Sequence, residues 1–508
     1  MGVISSMSLI PLKLPAGIFR NGTDFEQSGR WRDANLVRWH NQSLRPIGGW
    51  TTRVTAGDTI TGVTRGMIAW VDNSDNSNLA IGTESNLYYV SDGGTVTDIT
   101  PSGFTSGSSS ASTNTAYGGG YYGGTTSSLD DDSLYGRSQP STGVFEEVTT
   151  WSLDNWGEYL LALTPDDGKL YEWDLDLSGT ADVIATAPTS NRGMFVTEER
   201  FVMLLGAGGN PRKVQWCNQE DNTDWTASDT NQAGDFELQT TGQIMCGCRM
   251  KGRSLILTDN DAHTGTYQGA PFVYGFERVG TACGVASRKT LVAIDEGAFW
   301  MGKRAFFMFD GSVAKELPCE VSDYVFDDIN ESQITKAFGV HNSSYGEVWW
   351  FYPSNGSTEI DKYVAFDYKE NHWEIGEMER TSGIDSGVFN KPIWIDASNN
   401  LYNHEDGYTH GSETPFVESA PISIGNGDQV MKVTQLIPDE NTQGEVKVRF
   451  KTRQYPNSTE TTHDLLTMGN PVSTRFTGRQ VRMRIEGNGN NNWRVGVMRI
   501  EAKAGGRR

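Results

Sequence analysis

The sequence predicts a mostly β protein: a β-propeller of six to seven blades joined to a β-sandwich-like platform built from N- and C-terminal strands. Three observations predict it: a hairpin that recurs seven times, a composition suited to strands and turns, and a change of strand pattern after residue 410.

In each repeat a short apolar strand runs into a Gly/Asp/Asn turn and returns as an aromatic strand. The copies begin at Leu79, Leu160, Phe201, Ser254, Phe299, Glu347 and Pro392, 81, 41, 53, 45, 48 and 45 residues apart. They return through Leu87-Tyr-Tyr, Leu170-Tyr-Glu-Trp173, Val214-Gln-Trp216, Thr266-Tyr-Gln, Phe306-Phe-Met-Phe, Tyr363-Val-Ala-Phe366 and Leu401-Tyr-Asn. A period near 45 with one hairpin per copy is the mark of a propeller. Such a ring is a scaffold, so its function has to come from what is added to it.

Composition agrees. The chain has 508 residues, enough for more than one domain and a large core. Hydrophobic residues make up 36%, aromatics 11%, and there are 58 glycines, which favours turn-rich β structure over helix. No apolar run reaches membrane-spanning length, and the opening MGVISSMSLIPLKLP lacks the charged-then-apolar order of a signal peptide. Five scattered cysteines (217, 246, 248, 283, 319) fit buried thiols in a reducing compartment, not a disulfide framework. Cys246 and Cys248 would share one strand face, where filling space is the simpler reading than binding metal.

Three regions follow. Residues 1–55 read as an extended, turn-rich platform segment, since Pro11 and Pro15 disfavour helix before them. Residues 56–410 carry the repeats. Gly, Ser and Thr dominate an insertion at 102–141, too polar to fold alone, in which Tyr117, Tyr121, Tyr122 and Tyr135 are candidate contact residues. Residues 411–508 alternate apolar with polar or basic positions, as in Val446-Lys-Val-Arg-Phe450 and Gln480-Val-Arg-Met-Arg-Ile485, which reads as sandwich strands with one solvated face.

Charge is split along the chain. The net −22 divides into +4 over 1–55, −35 over 56–446 and +9 over 447–508. An acidic body repels nucleic acid, while basic ends invite an acidic partner or a neighbouring copy. Arg38, Arg45, Arg482, Arg484, Arg494 and Arg499 are the candidate interface residues of those ends.

Catalytic motifs are scarce: there is no Walker loop, HExxH, GxSxG or zinc quartet. Asp259-Asn-Asp261-Ala-His263 gathers carboxylates and an imidazole, but Asp and Asn are also turn residues. Ser91-Asp-Gly-Gly-Thr95 resembles the Asp-box of sialidases without its trailing Trp. The Trp-rich strands (Trp216, Trp300, Trp349, Trp350, Trp373, Trp394) suit packing between blades better than sugar stacking. No enzyme, cofactor or metal is expected.

Four segments carry a resemblance. They are FRNGTDFEQSGRWRDANLVRWHNQSLRPIGGW (19–50), GNPRKVQWCNQEDNTDWTAS…NQAGDFEL (209–238), GAFWMGKRAFFMFDGSVAKELPCEVSDYVFDDIN (297–330) and TGRQVRMRIEGNGNNNWRVGVMRIEAKAGGRR (477–508). Together they resemble the tail nozzle proteins of short-tailed bacteriophages, also called tail tubular protein B. The resemblance implies a virion tail protein that forms a homohexameric ring below an adaptor on the portal. It would conduct and gate genome DNA without specific binding, and hold fibres or spikes. The alternative is a glycan-binding or glycan-cleaving propeller of tailspike or sialidase type, since 64 Asp/Glu offer many carboxylate pairs.

Overall fold

The computed structural model describes residues 8–113, 145–295, 297–423 and 429–505. Within them, seven antiparallel sheets succeed one another as blades. Blade one holds Gly66–Val71, Ser77–Gly82, Leu87–Ser91 and Thr95–Asp98, with Ala56–Gly57 added in parallel outside. Blade two holds Ser152–Trp156, Tyr159–Leu163, Tyr171–Trp173 and Asp182–Val183; blade three Gly193–Val196, Val202–Leu205, Lys213–Trp216 and Gly234–Glu237. Blade four holds Ile244–Met250, Arg253–Thr258, Asp261–Gly269 and Val273–Thr281. Blade five holds Leu291–Ile294, Gly297–Met301, Phe306–Phe309 and Ala314–Leu317. Blade six holds Phe338–Asn342, Glu347–Tyr352, Lys362–Asp367 and His372–Glu377. Blade seven takes Ser382–Ile384, Ile393–Ile395 and Leu401–His404 from the end of the repeats, and its outer strand, Trp50–Thr52, from near the start of the chain.

First strands pack side by side, and that of blade seven meets that of blade one, so the ring is closed by seven blades. Every repeated hairpin is the second and third strand of a blade. These strands are covered on both faces by neighbouring blades, which is why they read as unbroken apolar runs. Val202–Leu205 and Glu347–Tyr352 are buried at every position. The six tryptophans weighed above are all buried, and they fill the wedges between blades.

The 1–55 segment divides its strands. Ser8–Leu12 and Trp31–Asn35 enter the platform, whereas Trp50–Thr52 pairs with Tyr402–His404 and seals the ring. A platform segment ending at residue 55 therefore overruns into the propeller, because the open edge of blade seven needs a partner strand.

The platform is a two-sheet sandwich. One sheet runs in the order Ser8–Leu12, Met498–Ala504, Met431–Ile437, Val472–Gly478. The other is led by Trp31–Asn35, Phe416–Ser419, Gln480–Gly487 and Val446–Arg453. Val472–Gly478 alternates buried and exposed along its whole length, so one face enters the core and the other meets solvent. Val433, Leu436, Val448, Phe450, Phe476, Met483, Ile485 and Ile500 form the filling, continuous through Trp31 and Trp39 with Phe306, Trp350 and Trp373 of the propeller. Sandwich and ring therefore share one core.

The stem of the insertion is described, with Ser112–Thr113 pairing Phe145–Glu146. Tyr117, Tyr121, Tyr122 and Tyr135 lie outside the described residues.

Candidate interaction platform, joint and axial channel

The joint between platform and propeller is built by Asn35-Leu36-Val37-Arg38 and the hairpin after it. Leu36 takes a left-handed conformation at φ 56, which turns the chain out of the sandwich. Non-glycine residues avoid that region, and here full burial and a hydrogen bond from its N–H to the Tyr363 hydroxyl (3.0 Å) hold it. The turn delivers Arg38 between blades six and seven. Its guanidinium meets Glu347 at 2.7 Å and Glu405 at 2.7 Å and lies 3.7 Å over the Tyr345 ring. Burial opposes its charge, but the two carboxylates outweigh that and keep it protonated well beyond the ordinary arginine range. Glu347 also accepts from Trp349 Nε1 (2.9 Å) and Asn342 Nδ2 (3.2 Å), and Trp39 N–H donates to Glu374 Oε1 (2.9 Å).

Gly48 and Gly49 continue the joint. A Cβ at Gly48 would stand 2.5 Å from the Glu405 Cα, and one at Gly49 2.4 Å from the Thr409 backbone nitrogen. No side chain fits, so these glycines let the sealing strand reach blade seven.

Beside that strand, Arg380 donates to His404 Nε2 (3.0 Å) and lies over the rings of Trp50 and Tyr402. Burial, then Arg380 and His410, push the His404 imidazole well below its ordinary value, so it is neutral when folded. Unfolding exposes it to protonation near pH 6.5, so its contribution to stability is present above that pH and lost as pH falls below it. We expect the stability advantage of the wild type over His404→Gln to shrink by about 1 kcal/mol from pH 6.5 to 5.5. Denaturant melts of both proteins at the two pH values check this.

The six candidate arginines fall into two groups. Arg38 is 1% exposed and meets the propeller, so it is a strut of the joint rather than a surface contact. Arg482 binds Asp24 (2.9 Å) and Glu460 (2.9 Å), and Arg484 binds Glu486 (3.0 Å) while covering the Phe416 ring at 3.5 Å. Arg32 and Arg453 join Arg482 on Asp24, pinning the 19–30 loop to the sandwich. Arg45, Arg494 and Arg499 differ: among the described residues none has a carboxylate within ion-pair distance. Arg494 and Arg499 are exposed, and burial plus the charge of Arg494 lowers the Arg45 pKa. This part of the platform therefore has cationic groups to spare.

The first strands of the blades enclose an axial cavity of about 440 Å³. It is lined by Met67, Leu153, Phe195, Cys246, Cys248 and Lys289, among others. One mouth is covered. Ala111, in the connection from blade one to blade two, exchanges hydrogen bonds with Gln333 in the connection from blade five to blade six (3.3 and 3.0 Å). Val148 N–H donates to Thr335 Oγ1 (3.4 Å), and Arg288 Nε to Glu147 Oε2 (2.8 Å). The two connections leave the ring on opposite sides, so they meet over the axis.

The Asp259–His263 turn is an internal brace: Asp261 accepts from Thr240 Oγ1 (2.8 Å) and Thr258 Oγ1 (2.5 Å) and sits 3.1 Å from His263 Nε2, all buried. Ser91-Asp-Gly-Gly-Thr95 is a turn between strands, with Gly94 at φ 84 and Thr95 N–H donating to Ser91 Oγ (3.1 Å). Glu347 and Glu405 escaped sequence reasoning. The available signal was a carboxylate heading the otherwise apolar run Glu347-Val-Trp-Trp-Phe-Tyr. Arg288 and Lys289 also escaped it, signalled only as adjacent cations before the half-buried first strand of blade five.

No protein-family model matches the sequence, and no curated protein matches it. Among solved structures the chain is similar to a streptogramin B lyase at 7% identity, over 68% of this chain and 94% of that one, TM-score 0.38. It is similar to the AfRom2 CNH domain at 11% identity, over 54% and 90%, TM-score 0.33. It is also similar to PorZ of Porphyromonas gingivalis at 8% identity, over 84% of this chain and 46% of that one, TM-score 0.35. These likenesses concern the fold alone.

Proposed function

We propose that the chain is a ring-forming structural protein of a short phage tail, a nozzle that extends the portal–adaptor channel as a homohexamer and conducts genome DNA. The observation that carries this reading is where the resemblance falls. Asn35-Leu36-Val37-Arg38 and Leu44-Arg-Pro-Ile-Gly-Gly-Trp50 are the joint between sandwich and ring, with their arginine and glycines fixed by Glu347, Glu405 and Thr409. A joint held by buried ion pairs and close backbone contacts suits a wall element that transmits load between a platform and an outlying propeller.

Charge supports the same reading. The −35 body is a surface over which DNA slides, and Arg45, Arg494 and Arg499 offer cations to an adaptor or a neighbouring copy. The axial channel of one propeller is not the conduit. Its covered mouth and 440 Å³ cannot admit a duplex whose major groove alone is about 12 Å wide, so the lumen lies between copies.

The native mass of the purified protein tests this. Six copies of the 55.9 kDa chain are expected, and Arg494→Glu with Arg499→Glu should lower the assembled fraction at least tenfold. A monomer at every concentration, with polysaccharide turnover abolished by changing a carboxylate pair, would replace this reading with the glycan-cleaving one.

A further inference from the structure

The covered end of the axial channel holds a cation with no anion to match. Lys289 Nζ donates to the Trp151 carbonyl (2.8 Å), and among the described residues no carboxylate lies within ion-pair distance of it. Beside it Arg288, its side chain 8% exposed, spends Nε on Glu147 (2.8 Å) and Nη1 on the Met245 carbonyl (2.8 Å). Farther along the wall Asp154 and Arg249 answer each other at 3.4 Å, leaving the covered end with the surplus. Lys289 is half-buried in the channel wall, where an ammonium gains from a paired anion, and a chain of net −22 has no general shortage of carboxylates. The 440 Å³ volume lies in the range of small-ligand sites, and the lining mixes apolar walls with a few converging donors.

We propose that the covered end of the propeller channel binds a small oxyanion, a phosphate- or carboxylate-bearing molecule, with Lys289 as its charge partner and Arg288 as the flanking donor. This site is independent of ring assembly, since it lies within one propeller.

The groups facing Lys289 make the site sensitive to pH. Arg288 and Glu147 lie at the covered mouth, Cys246 and Cys248 on the blade-four wall, and Asp154 with Arg249 beyond them. Burial pushes the Lys289 ammonium down to about 8, and burial pushes the Cys246 thiol up to about 12, so the lysine is the group that titrates near neutrality. Below about pH 8 the site is charged and receptive. Above it, binding must take up a proton, and affinity falls by about tenfold per pH unit.

Isothermal titration calorimetry of the full chain at pH 7, with inorganic phosphate and separately with succinate, tests the proposal. One-to-one binding by at least one probe is expected, weakened at least tenfold at pH 9. Lys289→Met should abolish it, and Arg304→Gln, on an exposed ion pair outside the channel, should leave it unchanged. Lys289→Met removes an unpaired charge, so that variant should fold; its thermal melt confirms this. No binding of either probe up to 10 mM, on the order of the weak limit of specific recognition, overturns the proposal, as does equal binding by Lys289→Met.

Discussion

Arg38→Met should lower stability by about 3–5 kcal/mol, the cost of breaking a buried ion pair from one side. Glu347, 1% exposed, would keep its carboxylate in the core with Trp349 and Asn342 as donors but no cation. Glu405 would lose the same partner, and the Tyr345 ring its covering guanidinium. Urea unfolding of the variant measures the loss. Adding Glu347→Gln should recover part of it, because the two changes act on one network and their effects do not add. Equal stability of Arg38→Met and wild type would mean that the platform joint is held by packing alone.

Trp350→Ala should cost about 3–5 kcal/mol, as expected for removing a fully buried aromatic. Trp350 is 0% exposed, its ring centroid 4.9 Å from Phe306 and 6.2 Å from Trp373. Its Nε1 donates to the Thr290 carbonyl (2.9 Å), tying blade six to blade five. The cavity would open in the core that the propeller shares with the sandwich. Both units should therefore lose protection together, and hydrogen exchange on Met431–Ile437 and Leu291–Ile294 would report it. Faster exchange confined to blades five and six would show that the two units are energetically separate.

How much of this was legible in the sequence depended on burial. Strands such as Val202–Leu205 are covered on both faces, so their apolar runs announced the repeat and its period. First strands such as Ser152-Leu-Asp-Asn-Trp156 face the channel and are half-buried, and outer strands such as Asp182–Val183 are exposed, so neither leaves a pattern. The sealing strand Trp50–Thr52 is three residues, two of them exposed, and its partner Tyr402–His404 lies at the far end of the repeats. Nothing local marks such a pairing.

The same limit governs the sites. Arg38 read as a surface cation because the carboxylates that bury it stand 309 and 367 residues away. Arg494 and Arg499 sit on strands or loops whose alternation already placed them outward, and both are exposed. The cation at the covered end of the channel depends on two inter-blade connections meeting over the axis, a contact between residues 222 apart that no motif encodes.

The proposed conduit rests on the acidic body of the chain facing a lumen between copies. A reconstruction of the assembled ring by electron cryomicroscopy tests that directly. Six copies around an open lumen are expected, with carboxylates of residues 56–446 on its wall and Arg45, Arg494 and Arg499 at contacts between chains. A lumen lined by lysine and arginine, or acidic side chains confined to the outer surface, would contradict it.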